Sequence, residues 1–311
     1  MLALRWLCAA ALIAALCVAL WQLAHPVGRT SRARAVLARY ASHPSAVIAL
    51  VALIVLYVVS ALSPWLATHD PIEILAQALA NHPPSRELLF GTDFASRDVF
   101  SRVLYGTRLS LSIALLATVI SVIIGTAYGA TAGFLGGKID TLMMRLVDAF
   151  LAIPRIVLLI AIGTLWAPLS MTSLILILGL TAWFGTSRLV RAEVMSIKER
   201  EMVAAARALG ARDLAIVRRH ILPNVLSPVI VAATLGVAGV IVNEAALSYL
   251  GIGIPAPTPS LGNIIHDGTP YLATAWWVAL FPGIALVITA LASNLAGDGL
   301  RDAMDPRQVD R

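Results

Sequence analysis

The sequence predicts an all-α protein that crosses a membrane several times, and three observations predict it. Hydrophobic residues make up 59% of the 311 positions and charged residues only 13%, whereas a soluble domain carries about 25% charge. The apolar residues gather into runs of about 20 or more, enough to span a bilayer as a helix. Within the runs they do not alternate with polar residues, as the strands of a lipid-facing barrel must.

In chain order, the first run is Trp6 to Ala24, an extra N-terminal apolar segment within residues 1–28. A basic linker, 29–45, carries Arg29, Arg32, Arg34 and Arg39. The second run, Ala46 to Leu66, opens a unit that extends to residue 108. The core, 109–300, holds the remaining runs. Leu109 to Gly137 is uncharged, as is Ile156 to Ser187, which Trp166-Ala167-Pro168-Leu169-Ser170 divides into two helices. Ile221 to Tyr249 is interrupted by Glu244, and Gly268 to Gly297 is the last run. A tail, 301–311, completes the chain. Seven helices follow if Trp6 to Ala24 spans and six if it does not.

Lys and Arg set the orientation. Of the 23, four lie at Arg29–Arg39, two at Lys138–Arg145, eight at Arg188–Arg219 and three at Arg301–Arg311, all on one side of the membrane. The other side holds four, between Arg86 and Arg108. The rich side is expected to be cytoplasmic, with the C-terminus inside. The net charge of +6 is therefore topological and does not point to nucleic acid. Cys8 and Cys17, nine residues apart in one apolar run, make neither a disulfide framework nor a metal site.

The longest cytoplasmic loop is 188–225. Its alanines from Ala204 to Ala208 favour helix, and Gly210 is suited to the left-handed turn that ends one. A second helix is expected from Arg212 to His220, stopping near Pro223. The result is a helix–glycine–helix knob able to fit a groove in a partner; an amphipathic connector resting on the membrane is the plain alternative. Outside the membrane, Asp93, Arg97, Asp98, Arg102 and Arg108 are able to pair with one another, or to lie as a solvated surface helix. Pro255, Pro257 and Pro259 stiffen the loop after Leu250. In the tail, Asp298, Arg301, Asp302, Asp305 and Arg307 are expected to form an ion-paired cap on the last helix. Pore lining and an interhelical hydrogen bond each explain Glu244. For Arg155, snorkelling to the cytoplasm or pairing with Asp148 is expected.

Four of these segments also carry a family likeness. The stretch Ala204-Ala205-Ala206, Gly210 and His220-Ile221-Leu222-Pro223 resembles the EAA loop of ABC importer permeases, which reads Glu-Ala-Ala, three residues, Gly, nine residues, Ile-x-Leu-Pro; Ala204 stands in place of its Glu. GTDFASRDVFSRVLYGTRLS, from Gly91 to Ser110, EAALSYLGIGIPAPTPSLG, from Glu244 to Gly262, and NLAGDGLRDAMDPR, from Asn294 to Arg307, are similar to the second permease of dipeptide, oligopeptide and nickel importers. Ser96 replaces a usual Gly there and Leu261 a usual Trp.

The resemblance implies the transmembrane fold of a type I ABC importer. It implies a multi-pass inner-membrane subunit paired with a homologous permease, two ABC ATPases and an extracytoplasmic binding protein. Met202, Ala205, Ala206, Gly210, Asp213, Leu222 and Pro223 then form the ATPase-coupling loop, while Glu244 and the Asp93–Arg108 cluster are candidates for the pathway or an interface. The chain needs no cofactor; ATP and Mg²⁺ belong to the partner ATPases, since the nearest phosphate-loop fragment, Gly136-Gly137-Lys138, is followed by Ile139 where a hydroxyl is needed. Di- or oligopeptides are the expected cargo, with nickel chelates, glutathione or another small solute as alternatives. An ion-driven secondary transporter fits less well, for want of repeated halves, and no His-Glu-x-x-His supports a membrane metalloprotease.

Overall fold

The computed structural model describes residues 36, 38–166 and 168–304. The run Trp6 to Ala24, and Asp305 and Arg307 of the tail, lie outside the described residues.

Helix α1 (Pro44–Ala61) opens on a proline, whose missing N–H is not needed in a first turn. Helix α2 (Val99–Leu135) begins where Asp98 accepts the Ser101 amide at 3.0 Å. At 1.5 Å per residue it is about 55 Å long, far beyond a hydrocarbon core of about 30 Å. Sequence reasoning starts this span at Leu109, ten residues too late. The division drawn between 108 and 109 therefore falls inside one helix.

Gly136 and Gly137, at φ +68° and +58°, turn the chain into α3 (Gly137–Leu151). After a break at 152–154, α4 (Arg155–Leu165) leaves at 82° to α3, and the two together make one broken span. Helix α5 (Met171–Lys198) is capped by Ser170, whose hydroxyl accepts the Ser173 amide at 3.1 Å. The short α6 (Glu201–Ala208) and α7 (Asp213–Ile216) follow, and a π turn, Val217–Ile221, joins α7 to α8 (Leu222–Tyr249).

The expected stop at Pro223 does not occur. The proline occupies the first turn of α8, directly after a π turn that already shifts the hydrogen-bond register. Asn224 then donates from its side-chain amide to the His220 carbonyl at 2.7 Å. Asp213 to Tyr249 is consequently one rod. Beyond it lie α9 (Leu261–Gly268) and α10 (Trp277–Met304). The run expected from Gly268 thus becomes a span only at Trp277. Among the described residues, five helices are long and apolar enough to cross a membrane, six with the α3–α4 pair.

Helices α2 and α5 run parallel and form the centre of the bundle. Gly125, Gly129 and Gly133 face α5 at four-residue spacing, and the approach leaves no room for a side chain. A Cβ at Gly125 would lie 2.7 Å from Thr186 Cβ, and one at Gly133 2.9 Å from the Arg191 carbonyl. Small residues permit this closeness where helix association rests on van der Waals packing. Leu111, Ile113, Leu174, Leu178, Ile241 and Leu247 fill the core between α2, α5 and α8. Outward faces, such as Ile48, Val51 and Val55 on α1, remain exposed.

Candidate functional site

The knob is built from the end of α5 through the start of α8. Val203, Ala206, Ile216 and Ile221 point inward onto Val190, Val194, Ile197 and Val225, which fixes α6 and α7 to the spanning helices. The corner between α6 and α7 is a Schellman turn: Ala211 N–H donates to the Ala206 carbonyl at 3.0 Å, and Gly210 N–H to the Arg207 carbonyl at 2.9 Å. Gly210 has φ +78°, as expected. Nothing lies within 4 Å of where its Cβ would be, so the backbone angle and not crowding calls for glycine.

Met202, Ala205, Gly210 and Asp213 are exposed, whereas Ala206 is buried and Leu222 and Pro223 are half-buried. Ala206 belongs to the anchoring cluster, and Leu222 and Pro223 begin α8. Sequence reasoning missed the two most prominent side chains. Leu209 and Leu214 flank the corner at 88% and 70% exposure. Two bare leucines beside a glycine corner, in a loop rich in cations, are a signal that helix periodicity alone passes over. Charges lock the bundle behind the knob: Arg191 holds Asp140 of α3 at 2.6 Å, Lys198 donates to the Phe134 carbonyl at 2.5 Å, and Arg188 pairs with Asp148.

The opposite face carries a second constellation. Asp93 accepts from Arg97 Nε at 2.7 Å and from the backbone amides of Ala95 and Arg97 at 2.9 Å each. Asp267, at the end of α9, takes Arg97 at 3.2 Å and Arg102 at 3.3 Å, and Arg102 Nε lies 3.6 Å from Asp93. Arg102 is only 1% exposed, so the solvated surface helix is ruled out. Asp98 serves locally, capping α2 and accepting from Thr68 Oγ1 at 2.8 Å. Arg108, six residues beyond Arg102, sits half-buried in α2. Asp267 is the member sequence reasoning missed, because it lies 165 residues from Arg102. Ser96 has φ +59°, a left-handed angle that Gly adopts more readily than Ser.

Glu244 is completely buried. Its carboxylate accepts from Ser110 Oγ of α2 at 2.6 Å and Ser248 Oγ at 2.8 Å, and the Ser260 hydroxyl, which caps α9, lies close by. The interhelical hydrogen bond is therefore the correct alternative for Glu244. It faces neither an open pathway nor an outer surface of this chain, because α2, α8 and the cap of α9 enclose it.

Asp298, Arg301 and Asp302 lie on the last turns of α10 and form no ion pair with one another, while the other two members of the expected cap, Asp305 and Arg307, lie outside the described residues. The expectation for Arg155 fails. Arg155 neither reaches the knob face nor pairs with Asp148, which is taken by Arg188; it donates from Nη2 to the Leu178 carbonyl at 3.4 Å. The sharp bend between α3 and α4 separates Arg155 from the charges that precede it.

Comparison with known proteins settles the class. The family described as "Binding-protein-dependent transport system inner membrane component" matches residues 125–310, and the "N-terminal TM domain of oligopeptide transport permease C" matches residues 31–84. The chain belongs to the C-type permeases of the peptide, oligopeptide and nickel ABC importer family. Among relatives of this permease, a putative peptide transport system permease protein of Brucella abortus biovar 1 (strain 9-941) is 44% identical over 269 residues, 86% of this chain and 90% of that protein. The dipeptide transport system permease protein DppC of Bacillus subtilis (strain 168) is 39% identical over 81% of this chain and 78% of its own length. A chain of the methionine ABC transporter MetNI in an inward-facing conformation has the same fold, with a TM-score of 0.52 over 68% of this permease and 98% of that chain, at 24% identity. The permease is thus a multi-pass inner-membrane protein and forms half of the translocation pathway of an ABC importer.

Proposed function

We propose that this permease imports di- or oligopeptides, with the knob and the C-terminus in the cytoplasm. The observation that carries the coupling role is the corner itself, where Leu209, Leu214 and Met202 are exposed on a loop firmly anchored by its inner face. Apolar side chains displayed on a rigid polar loop mark a docking surface. The proposed occupant is a groove on one of two ATPase subunits, which bind ATP and Mg²⁺; a homologous permease presents the equivalent knob to the other. Because α7, the π turn and α8 form one rod, a displacement of the knob is delivered directly to a spanning helix. The 17-to-4 distribution of Lys and Arg supports the orientation. The opposite face, with α9 and its flanking loop, then meets the binding protein that delivers solute.

Peptide cargo rests on the named activities of the relatives, which include dipeptide, di/tripeptide and oligopeptide permeases. A strain lacking this chain is expected to lose uptake of radiolabelled dipeptide at least tenfold and to regain it when the chain is restored. Unchanged peptide uptake together with lost nickel or glutathione uptake would overturn the cargo while leaving the permease role intact.

A further inference from the structure

Arg155 is a cation in the middle of the membrane. Helix α5 serves as a ruler: its uncharged part, Met171 to Ser187, spans about 25 Å at 1.5 Å per residue, and Leu178 lies close to its centre. The guanidinium that donates to the Leu178 carbonyl is therefore near mid-depth, about 15 Å from the level of Arg188. Lipid phosphates lie half a bilayer away, beyond the reach of an arginine side chain.

Arg155 is half-buried. It shares the four-residue stripe of α4 with Leu159 and Gly163, which are both buried, and so it sits beside α5 and not on the lipid face. Yet among the described residues no opposite charge balances it. Among the described residues Nη2 donates to a neutral carbonyl, Nε is enclosed without an acceptor, and no carboxylate stands within ion-pair range. Charges at this depth are costly and belong to a pathway or to a partner of opposite sign. One turn and more towards the knob face lies a ladder of rings: Tyr128 and Trp183 have centroids 4.7 Å apart, Trp183 and Phe184 4.5 Å, and Phe184 stacks on Phe150 at 4.8 Å. Tyr128, Trp183 and Phe184 pack into a core cluster with Ala132, Met144 and Val147, whereas a planar guanidinium binds a carboxylate with two parallel bonds.

We propose that Arg155 is the mid-membrane contact for the carboxylate of the passing solute. The proposal rests on the peptide-import reading above. The Leu178 carbonyl holds the guanidinium in place without neutralising it, which leaves its charge available for a reversible contact.

The test uses the assembled transporter in proteoliposomes with saturating binding protein, comparing dialanine with its C-terminal amide. In Arg155→Gln the rate for the free carboxylate is expected to fall at least tenfold more than the rate for the amide, and Arg155→Lys is expected to recover most of that difference. The same binding protein serves every variant, so its own preference cancels from the comparison. An equal fall for both solutes would overturn the proposal, and would mean that Arg155 pairs with a carboxylate of the partner permease or supports the fold. Equal rates in all variants would overturn it too. If the unmodified transporter imports neither dipeptide form, the peptide reading itself falls, and this inference with it.

Discussion

Gly210→Val is expected to abolish transport and solute-stimulated ATP hydrolysis together, each by at least tenfold, while the subunit still inserts and assembles. At φ +78° a β-branched residue is strained by about 1–3 kcal/mol, enough to turn the Schellman corner into another conformation. Leu209 and Leu214, which flank that corner, would then no longer be presented side by side. The spanning helices are not touched, since no atom lies within 4 Å of the new Cβ. Ala208→Ser, an exposed helical position with ordinary backbone angles, serves as the control and should stay within about twofold of the unmodified protein. Normal transport by Gly210→Val would reduce the loop to a connector.

The second large effect is expected at the opposite face. Arg102→Ala removes a buried cation that Asp93 and Asp267 share with Arg97. Breaking a buried ion pair costs at most about 3–5 kcal/mol, and here Arg97, 2.7 Å from Asp93 and 3.2 Å from Asp267, remains to offset part of that loss. Size-exclusion chromatography after detergent extraction should show most of the variant aggregated, and thermal unfolding of the remainder should begin at a markedly lower temperature. Arg102→Ala combined with Asp267→Ala should be less destabilised than the two single changes added together, since both ends of one contact are gone. Strict additivity would show that the network contributes nothing as a unit.

Much of this was legible in the sequence, for identifiable reasons. Spans announce themselves through uncharged length, and the corner at Gly210 through a glycine placed after a run of alanines. The start of α2 was hidden because Arg102 and Arg108 look too polar for a long helix; the neutralising Asp267 is remote in sequence and comes close only through α9. Helix α3 was hidden by Lys138, Asp140, Arg145 and Asp148, which read as a connector until Arg188 and Arg191 of α5 are seen to pair with its acids. Pro223 looks like a stop, and only the π turn before it shows why the helix continues. Glu244 is an isolated acid in the sequence. Its neighbours Ser110 and Ser260 come from two other elements, so whether it lined a pore or bound another helix was undecidable before the fold was known.

The coupling role of the knob is tested most directly by a crosslink from its tip. Leu209→Cys, at a position 88% exposed, is placed in the complete transporter with single cysteines around the proposed groove of the ATPase subunits, and disulfide formation is followed with and without ATP. The expected result is a specific crosslink to an ATPase subunit whose yield changes on ATP binding, together with loss of transport once it forms. A crosslink that forms only with the binding protein, or no crosslink to the ATPases from Leu209→Cys or Ala205→Cys in an actively transporting complex, would contradict it.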